Sequence, residues 1–282
     1  MFTFNLLLII PNVIINQYFH DEQDEQSKSI FTKLILTIMK TSLMVILLCS
    51  LFLRCERNPC KDLKNGVYQY PELPENHTMT SDEVDKFYYI PHDIAECIST
   101  ENLIESILTY PHVGLIFAHH TGDGGYKLLK YHFNGPGVLE TRMDRGQELL
   151  KKYMSWDPLG IDPSWENLEI GHYIVRGIYL EIFINQFKNL EDLDRDDQKT
   201  LFGWSLEVYD NEKSLLEYYG YFALSHNTAT VARLMYLHNY EPFMSLYKAN
   251  ESVFYLTAFL GLASQQIIDQ IHEMAVEYFK TL

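Results

Sequence analysis

Between residues 164 and 188 the chain runs through Ile170, Tyr173, Ile174, Ile178, Tyr179, Ile182, Phe183 and Phe187, which together cover a helix nearly all round. A helix that is apolar on every side has to be enclosed, by lipid or by other protein. His172, Arg176 and Glu181 interrupt the run. Ionisable groups are expensive inside a bilayer, so this is a poor membrane span and reads as a central, buried helix. The rest of the chain has to supply its cover.

That cover reads as more helix. Thr80 followed by Glu83 makes a capping box ahead of Val84, Phe87 and Tyr88. Pro91 opens a short helix through Ile94, Cys97 and Ile98. Ser99 is the next N-cap, and Leu103, Ile104, Ile107 and Leu108 fall at a spacing that forms one helical face and cannot be a strand alternation. Pro111 starts a further helix carrying Val113 to Phe117. Residues Gly122 to Gly125 read as a loop, and Phe133 to Gly137 as a left-handed C-cap with a proline restart. Beyond the central helix, helical segments fit 147–153, 197–209, 212–224, 228–238, 241–248 and 252–261. An amphipathic helix fits 264–281, where Ile267, Ile268, Ile271, Met274 and Tyr278 share a face. The expected fold is therefore all-α, with antiparallel helix pairs packed side by side or wound into a short α-α superhelix.

The first eighty residues read differently. Met39 and Lys40 precede an apolar run from Leu43 to Leu53 that Arg54 closes. This is too short to span as a helix, which takes about 20 residues, and it fits a signal h-region. With Met39 taken as the start, residues 1–38 are a mis-assigned upstream extension; the alternatives are an extended signal with two hydrophobic segments or a membrane hairpin. Cys55 stands where a bacterial lipoprotein signal places its acylated cysteine, after Leu51 and Leu53, although Arg54 occupies the place usually held by a small residue. Ordinary cleavage nearby and an uncleaved anchor are the alternatives. Residues 39–55 are thus the expected signal peptide. Residues 56–79, with Gly66, Pro71 and Pro74 among polar neighbours, are the expected linker, and 80–282 the single helical domain.

With Cys49 lost in the signal and Cys55 carrying lipid, Cys60 and Cys97 are the only possible pair. A domain of this size has enough core without staples, so Cys97 is expected to pack as a small buried hydrophobe, with a bridge as the alternative. Basic and acidic residues balance within residues 1–60, so the formal charge of −16 falls on residues 61–282. That argues against a nucleic-acid partner, because such binding is driven by basic residues displacing counterions.

Candidate chemistry is sparse. Asp192 to Asp197 begins like a calcium loop, but Asp197 replaces the required glycine and Gly203 the bidentate glutamate, so the run reads as a helix cap. His272-Glu273 resembles a zinc-protease motif whose second histidine is replaced by Val276. His119, His120 and Asp123 are the weak candidates for a metal site, with His112 and His132 nearby in sequence. Tyr218, Tyr219 and Tyr221, in the densest aromatic cluster, are the weak candidates for ligand stacking, against core packing as the simpler reading. No cofactor is implied.

Ile90-Pro91, Ile98 to Ile104, Leu108 to Pro111, Phe133 to Gly135, Arg142 to Asp144, Leu149 to Tyr153 and Asp157-Pro158 resemble the signature of a group of exported, often lipid-anchored, all-helical bacterial proteins with no assigned activity. The likeness covers roughly residues 90–160. It implies a helical fold and export, and brings no catalytic residue with it. The expectation is a membrane-anchored, non-catalytic interaction or scaffold protein of the cell envelope, facing the periplasm or the exterior. It would meet a protein or small-ligand partner and touch the membrane through its N-terminal lipid. The alternative is a metal-assisted hydrolase centred on the 119–123 loop.

Overall fold

The computed structural model describes residues 59–282, and before them only Lys33, Leu36 and Thr37. The signal segment, Cys55 and the rest of the upstream extension lie outside the described residues. Residues 59–282 form one compact unit. They fold into thirteen α-helices, and no strand occurs among the described residues. No helix among them is long and apolar enough to cross a membrane.

The helices are α1 (Ser81–Phe87), α2 (His92–Cys97), α3 (Thr100–Leu108), α4 (Gly122–His132), α5 (Gly135–Leu139), α6 (Arg145–Met154), α7 (Asn167–Ile184), α8 (Phe187–Asp192), α9 (Arg195–Ser214), α10 (Leu216–Leu237), α11 (Glu241–Ala249), α12 (Glu251–Phe259) and α13 (Gln265–Phe279). Their ends follow local chemistry. Thr80 and Glu83 make both halves of the capping box on α1, Ser99 accepts from Asn102 N–H at the start of α3, and Asp194 accepts from the N–H groups of Asp196 and Asp197 at the start of α9.

The buried centre is shared. The second half of α7, from Gly177 to Ile184, is enclosed, but Leu168, Glu169 and His172 on its first half face outward. The more central element is α10, buried without a break from Ala223 to Met235. It packs on α7, α9, α11, α12 and α13. The helices therefore gather around α10, whereas a superhelix would have each pair meet only its neighbours. Gly220 interrupts α10 with φ 61°, a conformation that only glycine adopts at little cost. The bend sends Tyr219 into the core while Tyr221 and Phe222 stay exposed.

Several sequence expectations give way. Gly122 to Gly125 is the first turn of α4, not a loop. Thr121 caps it by accepting from Gly124 N–H at 3.2 Å, and a Cβ on Gly125 would lie 1.8 Å from the carbonyl oxygen of Ile116. Gly125 thus admits the Ile116 backbone, while Gly122 admits the Leu260 side chain and Gly124 the His119 ring. Pro111 opens only a short 3-10 turn, Val113–Phe117. Asn134 is right-handed, so the restart at Gly135 needs no left-handed cap.

Residues 60–73 of the expected linker dock on the helical body, whereas 74–79 are exposed. Cys60 and Cys97 form a disulfide, against the expectation that Cys97 packs as a lone hydrophobe. Tyr68 N–H donates to Ser106 Oγ at 3.0 Å and Tyr70 Oη donates to the Ser106 carbonyl at 2.8 Å. The Tyr70 ring meets Tyr88, Tyr110 and Phe133 edge-on. Aromatic burial of this kind outweighs the prolines that suggested a linker.

Candidate functional site

The exposed face of the first half of α7 forms one wall of an open groove of about 720 Å³, and the turn from Pro111 to Gly114 forms another. Trp165, Tyr173, Tyr179 and Val113 line it. Trp165 and Tyr173 meet with ring centroids 5.4 Å apart at 60°, which makes an aromatic corner. Tyr173 is fixed by donating its hydroxyl to the Asp157 carbonyl. Glu169, His172 and Arg176, spaced along one helical face, supply the charged side.

Arg176 joins this groove to a second recess of about 500 Å³ lined by Lys64, Tyr68, Tyr70 and Glu105. Its guanidinium lies 2.6 Å from Glu105 Oε2, and Lys152 approaches the same oxygen at 2.7 Å. Partial burial opposes the charge of Glu105, but the hydrogen bonds from Lys152 and Arg176 outweigh it and hold the carboxyl below its ordinary range. Arg176 on the groove side and Glu105 on the recess side, with Lys152, thus form one ion cluster where the two meet.

The structure divides the candidate metal residues. His119 and His120 stack with centroids 4.2 Å apart and both face a recess of about 130 Å³, with His226 and Leu260 among its other walls. His119 Nδ1 is held by Thr121. Asp123 turns the other way: its Oδ2 accepts from Arg233 at 2.7 Å and its Oδ1 from Gln186 at 3.3 Å. His132 pairs with Asp85, and His112 lies against Tyr88 and Tyr110. Among the described residues no three His, Cys, Asp or Glu side chains come together in a way that could hold a metal ion.

The candidate tyrosines are divided too. Tyr219 is buried and donates its hydroxyl to the Pro158 carbonyl at 2.6 Å, Tyr218 is half-buried, and Tyr221 is exposed. Sequence reasoning missed the groove because its walls come from distant stretches, with Arg176 and Glu105 separated by 71 positions. The spacing of Trp165, Glu169, His172, Tyr173 and Arg176 was the available signal: a polar-aromatic face on an otherwise apolar helix.

Sequence also missed three buried polar sites. Arg145 is held by Asn189, Asp192 and the carbonyls of Glu140 and Arg142. Arg233, fully buried, is held by Asp123 and the carbonyls of Asn185, Thr257 and Ala258. Glu181 on α7 and Glu212 on α9 lie together with no exposed surface. No protein-family model matches the chain, and no curated protein or solved structure matches it either.

Proposed function

We propose that the protein is a non-catalytic interaction protein of the bacterial cell envelope, held at a membrane by lipid on Cys55, and that it grips a partner polypeptide in the α7 groove. The observation that carries this reading is the groove itself: an open aromatic corner beside Arg176, whose charge is already paired with Glu105. Interface cores favour aromatic and arginine side chains within a polar rim. A hydrolytic centre would instead need acid, base and stabiliser converging, and the one carboxylate of the 119–123 set is the counter-ion of Arg233. The Cys60–Cys97 bridge supports export, because disulfides persist in oxidising compartments. The formal charge of −16 favours a protein partner over a nucleic acid.

A photo-crosslinking side chain at His172 tests the groove, since that position lines it and is exposed on α7. It should capture a discrete partner in cells, whereas the same group at Tyr131, exposed on α4, should not. Trp165→Ala with Tyr173→Ala should cut capture by about 10- to 30-fold, as expected for hot-spot residues of about 2 kcal/mol. Equal capture at both positions, or capture indifferent to the two substitutions, would reject the groove. For the anchor, Cys55→Ala should move the protein out of the detergent phase or leave the signal uncleaved. A peptide from residues 2–30 in the mature protein would count against it.

A further inference from the structure

Among the described residues, the buried charges come with counter-ions except at one place. Asp123 has Arg233, Asp192 has Arg145, and Glu105 has Arg176 and Lys152. Glu181 and Glu212 have each other. Both side chains have no exposed surface, and no lysine, arginine or histidine acts electrostatically on either carboxyl. Tyr153 from α6 donates its hydroxyl to Glu181 Oε1 at 2.8 Å and receives a hydrogen bond from Asn227 Nδ2 of α10 at 3.1 Å. Glu181 Oε2, both oxygens of Glu212 and Asn227 Oδ1 receive no protein donor. The site has acceptors in surplus and too few hydrogens.

Two adjacent carboxylates without a cation cannot both stay charged in an apolar interior, and the cheapest remedy is to hold protons. A carboxylic acid also becomes a donor, which supplies what the orphaned oxygens lack. We propose that Glu181 of α7 and Glu212 of α9 form an internal proton-binding site where both helices pack on α6 and α10, protonated at neutral pH and emptied only as that packing loosens.

The surroundings agree with this assignment. Burial pushes Glu181 up to about 8, with the Tyr153 hydrogen bond opposing, and burial together with the charge of Glu181 pushes Glu212 well above the carboxyl range. The titratable neighbours are Tyr153 of α6 and Tyr219 of α10, and burial raises both, so neither carries charge near neutrality. Tyr173 and Asp157 act on Tyr219 from the groove side. His226, next to Asn227 in α10, bonds the Phe222 carbonyl, and burial pushes it down to about 4.

The sign of the pH dependence follows. Carboxyls whose pKa is raised on folding give the folded state the extra protons. Their contribution is complete below the ordinary carboxyl value of 4.5 and is lost as pH rises through about 8. His226 acts in the opposite sense, losing stability as pH falls from 6.5 towards 4, so the clean window lies above pH 6.5. There the folding equilibrium constant should fall by up to about tenfold per pH unit for each carboxyl that titrates.

Infrared spectroscopy of the full chain at pH 7 should show a protonated-carboxyl C=O band that Glu181→Gln with Glu212→Gln removes. Gln is a neutral isostere of the acid, so the double variant should fold and its stability should be nearly flat from pH 6.5 to 9. A wild-type spectrum without that band overturns the proposal. So does a wild type whose stability at pH 9 is restored by added calcium in the absence of the band, because the occupant would then be a metal ion. Glu181 also lies on the helix whose outer face lines the groove. Crosslinking from position 172 should therefore weaken between pH 7 and pH 9 in the otherwise wild-type protein and hold steady in the double variant. This last consequence rests on the groove reading. If it fails while the infrared band is present, the proton site stands and the coupling to the groove is rejected.

Discussion

Asp123→Ala should cost the fold about 3–5 kcal/mol, the range for removing one partner of a buried ion pair and leaving the other charge uncompensated. Arg233 has no exposed side-chain surface and Asp123 little. The guanidinium lies 4.4 Å from the Phe187 ring centroid, and its remaining bonds go to the carbonyls of Asn185, Thr257 and Ala258, which are polar but neutral. Asp123 is its sole carboxylate contact among the described residues. Asp123→Asn keeps an acceptor and should cost less. In an Arg233→Met background, Asp123→Ala should lose most of its effect, because no buried charge is left to strand. Urea denaturation of the four proteins measures the coupling, and a single-variant loss below about 1 kcal/mol would show that the pair is not closed in solution. Replacing His119, His120 and Asp123 together reports on folding; His119→Ala with His120→Ala is the informative test of chemistry at that turn.

How far the fold could be read from sequence depended on whether a signal was local. Caps are local: Thr80 and Ser99 begin helices as expected, and the acidic run 192–197 caps through Asp194 a helix that starts two residues before the expected position. The enclosed half of α7 and the amphipathic α13 were legible because their apolar spacing spans several turns. Glycine misled at Gly122 to Gly125, where its role is close approach and not a turn, and only the positions of Ile116, Leu260 and His119 show the difference. Residues 59–79 misled because Tyr68 and Tyr70 dock on Ser106, nearly forty positions away. The candidate site divides in the same way. Glu181 stood out as a charge in an apolar run. Glu212 sits among Asp210, Asn211 and Lys213 and looks like solvent-facing polarity. Its burial follows from sharing a face with Leu201, Ser205 and Val208, which matters only once α10 is packed against that face.

Reduction of the Cys60–Cys97 bridge should cost about 4 kcal/mol, taking the chain-entropy estimate for the 37-position separation. The bridge limits the unfolded chain and ties the 59–79 segment to the end of α2, so two effects should be separable. Cooperative unfolding of residues 80–282 should shift to lower denaturant, since the unfolded state regains its freedom. Tyr68 and Tyr70 should keep some hold on α3 after reduction, through Ser106 and the cluster of Tyr88, Tyr110 and Phe133. Tyr68 and Tyr70 are themselves only partly buried against that core, so the segment would open before the core does. Protease should therefore cut within residues 64–79 of the reduced protein while the helical body is still folded. Cys97→Ser should behave like the reduced wild type and show no response to reductant. Tyr70→Phe in the oxidised protein should cost only about 1 kcal/mol, because the ring stays packed and one hydrogen bond is lost. If reductant moves the transition by less than about 1 kcal/mol and leaves residues 64–79 protected, the aromatic docking holds the segment and the disulfide adds little to it.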